Sequence, residues 1–80
     1  MTPEEYADRH KKAFRCAFDY LNTHFPPENT DVWWDQAARD LSDYGIAAGE
    51  NDLVLQLLPA VFLYLADERK RRYEHGKADS

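Results

Sequence analysis

The sequence is poor in cysteine and glycine. Cys16 is the one cysteine, so no disulfide can form within the chain, which excludes the disulfide-rich small scaffolds and favours a reducing compartment. Three glycines do not form a glycine-rich phosphate loop. No stretch alternates apolar and polar residues in the manner of a half-buried strand. The sequence therefore predicts an all-helical protein.

Targeting signals and long hydrophobic runs are also missing. Residues 1–5 carry neither the basic start nor the apolar run of a signal peptide, so we expect a cytoplasmic protein. The longest apolar stretch, residues 53–66, is shorter than the roughly 20 residues that cross a bilayer, and it contains Gln56 and Pro59. A membrane partner is therefore not expected.

The length allows one small domain. With 80 residues, of which 44% are hydrophobic and 14% aromatic, the chain can form a single core, and we expect one helical domain over 1–80. Its ordered part should cover about 3–75, with a frayed C-terminus. A chain this short buries only about 60–65% of the surface that its unfolded form exposes, so it gains stability from association.

Helical spacing recurs in three segments, 3–23, 31–44 and 52–75. For the first segment, Thr2 and Glu5 have the spacing of a capping box around Pro3. Its apolar positions predict one continuous inward stripe: Tyr6, His10, Ala13, Phe14, Ala17, Phe18 and Leu21.

The second and third helices have their own boundary signals. Thr30 or Asp31 can cap the second helix, and Gly45 is its expected stop. Asn51 or Asp52 can cap the third, which Pro59 should kink or split. The predicted fold is all-α, a compact bundle of three main helices.

The third helix is apolar around most of its circumference. Two neighbouring helices can cover only part of such a surface, so the remainder needs a partner. We expect a non-enzymatic protein–protein interaction module, a homodimer or a complex with another protein. The expected interface residues are Leu55, Leu58, Phe62 and Leu63.

Catalytic and metal-binding patterns are not found in the sequence. His10 and Cys16 are six residues apart and therefore lie on different faces of one helix, which prevents a catalytic pair. The spacings typical of zinc or calcium sites do not occur. We accordingly expect no enzyme activity, no metal and no cofactor.

The charge is unevenly distributed, and it suggests two alternatives. The chain has a net charge of −5, with an acidic middle and bases near both ends. A regulator of nucleic acids could use the C-terminal bases Arg69, Lys70, Arg71 and Arg72, although pairs with Asp67 and Glu68 also explain these bases. An acidic mimic that binds a basic protein could use Asp31, Asp35, Asp40, Asp43, Glu50 and Asp52.

Overall fold

A computed structural model describes residues 1–49 and 51–74, with the backbone alone at Glu74. It contains helices α1 (Pro3–His24), α2 (Asp31–Ala47) and α3 (Asp52–Arg69), and a π-helical turn, Lys70–Glu74, follows α3. The described residues form no strand. The predicted all-α bundle of three helices is confirmed. The predicted end of the third helix at residue 75 and the expected fraying beyond it lie outside the described residues.

All three helices begin where the sequence predicts. The Thr2 hydroxyl accepts a hydrogen bond from the Glu5 amide at 3.2 Å, and the Glu5 carboxylate accepts one from the Thr2 amide at 3.3 Å. Thr30 caps α2 by accepting from the Trp33 amide at 3.2 Å. Asn51 caps α3 through the Leu53 amide at 3.2 Å. Each cap satisfies a backbone donor that the first helical turn leaves unpaired.

The predicted stop of α2 at Gly45 is wrong. The helix continues to Ala47, and the left-handed residue is Gly49, with φ of 71°. Gly45 instead lies where α2 approaches α3, because an added Cβ would lie 3.8 Å from Cδ2 of Leu55. Gly45 does not have a positive φ, and α2 continues until Gly49, two residues beyond its last residue, supplies one.

Helix α3 passes through Pro59 without splitting. Of the two predicted outcomes, the broken helix is therefore wrong. Pro59 is exposed, so water can reach the Leu55 carbonyl that lacks its helical donor.

The helices run up, down and up. Near the start of α3, the Asn51 side chain donates to the Arg9 carbonyl of α1 at 3.1 Å. Beyond the other end of α3, Arg72 stacks over Phe25, directly after α1. Helices α1 and α3 are therefore parallel and α2 is antiparallel to both. The buried hydrophobic residues lie between them: Ala13, Ala17, Tyr20, Ala37, Val54, Leu58 and Leu65.

The predicted inward stripe of α1 is partly wrong. Phe14 is 59% exposed and Phe18 is 64% exposed, and Tyr6 and His10 are exposed as well. Tyr20 and His24, which the stripe did not include, are buried. Ala13 and Ala17 line the buried side of α1, and such small residues let helices approach closely. Tyr20 and His24 continue this buried side towards the C-terminus of α1. Phe14 and Phe18 therefore lie on the outer flank of the helix.

Candidate protein-interaction surface

A buried polar cluster joins α1 to α2. The Tyr20 hydroxyl donates to the Ala37 carbonyl at 2.7 Å, and the His24 ring stacks on the Tyr20 ring with centroids 4.1 Å apart. His24 Nδ1 donates to the Tyr20 carbonyl at 2.7 Å, because a carbonyl oxygen can only accept. Its Nε2 lies 2.8 Å from the Asp40 carboxylate, which also accepts from the Gln36 amide at 2.9 Å.

The titration of this cluster follows from its hydrogen bonds and burial. Hydrogen bonds from His24 and Gln36 lower the pKa of Asp40 below its ordinary value. Burial, followed by the nearby Asp40 charge, raises the pKa of Tyr20 to about 12. These groups are packed between helices and hydrogen-bonded to one another, so the cluster serves to hold α1 and α2 together.

Cys16 lies in a setting that does not activate a thiol. Its Sγ is 3.8 Å from the Tyr44 carbonyl oxygen, a weak contact. Burial, with a smaller contribution from Asp19, raises the pKa of the thiol. A nucleophilic cysteine needs the opposite shift, because the thiolate is the reactive form.

Four exposed aromatic side chains form a ridge beside the α1–α3 contact. Phe14 and Phe18 are four residues apart on one side of α1, and Phe25 continues that side directly after the helix. Tyr64 of α3 joins them, because Phe18, Leu21, Phe25 and Tyr64 line a shallow hollow of 240 Å³. Phe25 is 41% exposed and Tyr64 43% exposed. We call Phe14, Phe18, Phe25 and Tyr64 the aromatic ridge.

On the other side of α3, an apolar groove runs between α2 and α3. Its volume is 490 Å³, and its lining residues are Ala38, Leu41, Ser42, Gly45, Ile46, Gly49, Leu55, Leu58 and Pro59. The α2 side consists largely of small residues, while the α3 side contributes larger apolar ones. Leu58 forms the floor, since it is only 2% exposed. We call this the α2–α3 groove.

The structure places the four predicted interface residues in different surroundings. Leu55 is 59% exposed in the groove, and Leu63 is 64% exposed on the outer surface of α3. Phe62 is partly buried against Trp34, with ring centroids 5.4 Å apart. Leu58 belongs to the core. Two of the four side chains, Leu55 and Leu63, are therefore largely free to contact a partner.

Three of the four C-terminal bases have partners within the chain. Arg71 and Arg72 both pair with Glu68, at 3.3 and 3.6 Å, and Arg72 also stacks over the Phe25 ring. The Arg69 guanidinium lies 5.5 Å from the centroid of Trp34. Lys70 is exposed. The contacts of Arg69 with Trp34 and of Arg72 with Phe25 hold the end of α3 on the bundle.

The acidic residues considered for a basic partner divide into two groups. Asp40 belongs to the cluster with His24. Exposed carboxylates occur at Asp31, Asp35, Asp43 and Asp52. Glu50 lies outside the described residues.

Within residues 1–49 and 51–74, no group of three or more histidine, cysteine and carboxylate side chains is arranged to hold a metal ion. No described helix has the length and apolar character to cross a bilayer. Comparisons with family models, curated proteins and solved structures find no match to the chain.

The aromatic ridge is not predicted by the sequence. The width of the predicted stripe on α1 is the feature that could have indicated it. That stripe places two pairs of adjacent residues on the inner face, Ala13 with Phe14 and Ala17 with Phe18. Adjacent helical residues point about 100° apart, so one member of each pair had to lie at the edge. Which member faces inward depends on the partner helices, which the spacing of α1 alone does not describe.

Proposed function

We propose that the protein is a small helical protein–protein interaction module that associates with itself through the surfaces beside α3. The observation that carries this proposal is the exposure of Phe14 and Phe18, at 59% and 64%, on an otherwise well-formed helix. An aromatic side chain offers roughly 150–250 Å² for burial, so the four residues of the ridge leave on the order of 400 Å² of aromatic surface uncovered.

Two features support association over the alternatives. An apolar patch of this size is comparable to the largest patch on a typical monomer, and the α2–α3 groove adds a second apolar surface. A stable interface takes about 800 Å² from each partner, and the roughly 400 Å² of the ridge is about half of that area. Binding of nucleic acid is less favoured, because Arg69, Arg71 and Arg72 already contact Trp34, Glu68 and Phe25.

A charge in the ridge tests this function. Phe18→Glu should raise the dissociation constant about thirtyfold, the effect of losing roughly 2 kcal/mol at an interface hot spot. Size-exclusion chromatography at several loading concentrations measures the change, and circular dichroism checks that the helix content is kept.

The matched control is Val32→Glu, because Val32 is 79% exposed on α2 and belongs to neither surface. It should elute as the wild type does. If Phe18→Glu and Val32→Glu elute identically to a self-associating wild type, the ridge is not part of the interface.

A further inference from the structure

The aromatic ridge is bordered by basic side chains. Lys11 precedes Phe14 by three residues, and Arg15 precedes Phe18 by three, so both bases lie beside the ridge on α1. Both are exposed, and neither forms an ion pair with another described residue. The ridge is therefore an exposed aromatic surface next to positive charge.

The α2–α3 groove is bordered by carboxylates. Asp31 and Asp35 precede Ala38 by seven and three residues, which places them on the groove side of α2. On α3, Asp52 precedes Pro59 by seven residues and therefore lies on the same side of the helix as that groove residue. The base Arg39 also lies on the groove side of α2, seven residues before Ile46, so three carboxylates and one base border the groove. The three carboxylates are exposed, and none has an ion-pair partner within 1–49 and 51–74.

We propose that the aromatic ridge of one copy packs into the α2–α3 groove of a second copy. This inference rests on the proposed self-association and names the two surfaces that meet. Phe14 and Phe18 lie about 6 Å apart along α1, and the α2 side of the groove extends from Ala38 to Ile46, about 12 Å along its helix, so the groove is long enough for both rings. The small residues on the α2 side of the groove let an aromatic ring approach the floor at Leu58.

Charge selects this pairing over contacts between like surfaces. Two grooves face to face would bring the Asp31 and Asp35 side chains of both copies into one interface, where the excess of like charge is repulsive. A ridge in a groove instead places Lys11 and Arg15 near carboxylates. The docked surfaces are different, so the contact is heterologous.

Complementation between two variants tests this pairing directly. Phe18→Glu disables the ridge and leaves the groove intact, while Ser42→Trp fills the groove and leaves the ridge intact. Ser42 is exposed, so the larger side chain should not disturb the core. Each variant alone should associate at least tenfold more weakly than the wild type, and an equimolar mixture should associate again, because one intact ridge then meets one intact groove.

The readout is the mass of the mixture by sedimentation equilibrium. Val32→Trp is the matched control, since it places the same side chain on a 79% exposed, uncharged position of α2 outside the groove. It should behave as the wild type does. Ala38→Trp replaces Ser42→Trp if the latter loses helix content.

The outcomes separate this inference from the proposed function. A mixture heavier than 9.4 kDa at a concentration where both variants alone remain at that mass supports the ridge–groove contact. A wild type that associates while the mixture stays monomeric, or while Ser42→Trp associates normally, overturns the contact and leaves self-association in place. A wild type that remains monomeric overturns both.

Discussion

Tyr20, His24 and Asp40 show how a small helical protein buries polar side chains. Each polar atom of His24 meets an acceptor, and the Tyr20 hydroxyl donates to a carbonyl of the facing helix. The sequence places His24 at the end of α1, where histidines are common, and gives no indication that it pairs with Asp40. That pairing depends on the antiparallel packing of α2, which is a tertiary property.

Replacement of Tyr20 by phenylalanine should cost about 1–2 kcal/mol of unfolding free energy at pH 7. The loss follows because the Ala37 carbonyl loses its buried donor. Urea denaturation followed by circular dichroism measures it. Tyr64→Phe is the control, since Tyr64 is 43% exposed and should change stability by less than about 0.5 kcal/mol.

The same variant should alter the alkaline limit of stability. The pKa of Tyr20 rises to about 12 on folding, so the folded state keeps its phenolic proton at a pH where the unfolded chain loses it. This contribution is fully present below pH 10 and is lost as the pH rises towards 12. Tyr20→Phe should therefore lose less stability than the wild type between pH 10 and 12. Parallel curves for the two proteins would contradict this assignment.

Asp40 should control how the stability of the folded protein declines at low pH. Its pKa is lowered on folding, so its contribution is present above its ordinary pKa of 3.8 and is lost as the pH falls through the lower folded value. Asp40→Asn should reduce stability at pH 7 and flatten the decline below pH 4. Thermal unfolding between pH 2 and 7 measures this, with Asp43→Asn, an exposed position on α2, as control. An unchanged acid profile for Asp40→Asn would show that its hydrogen bonds contribute nothing to stability.

At the scale of the helices, the sequence predicts starts better than ends and faces. Caps are local, because Thr2, Thr30 and Asn51 each bond to an amide two or three residues away. The end of α2 depends on the packing of α2 against α3. Gly45 lies at that contact and does not terminate the helix. The inward face of α1 likewise depends on where α3 lies, so Phe14 and Phe18 are misplaced by periodicity alone.

Pro59 should destabilise α3 in the isolated protein. The helix continues through it, and the exposed ring makes no hydrogen bond that alanine would lose. Pro59→Ala should raise the unfolding free energy by about 1–3 kcal/mol in dilute solution, measured by urea denaturation. Gln56→Ala is the control, at an exposed position one turn earlier, and should change stability little. A loss of stability in Pro59→Ala would mean that the proline ring is part of the packing between α2 and α3.

For the whole molecule, the sequence predicts the three-helix bundle and the excess of apolar surface on the third helix. It does not predict how that surface is divided. Leu58 fills the floor between α2 and α3 and Phe62 packs on Trp34, whereas Leu55 and Leu63 stay exposed. The division follows from where α2 lies on α3, which contacts such as Trp34 with Phe62 show and which no local pattern in α3 encodes.

The proposed self-association of the wild-type chain is tested by the mass of the protein in solution. Light scattering over a concentration series at moderate salt should give a mass that rises above 9.4 kDa with concentration. High salt should weaken the association, because charged side chains border both surfaces. A mass that stays at 9.4 kDa across the series would contradict the account, because the aromatic ridge and the α2–α3 groove would then remain uncovered by a second copy.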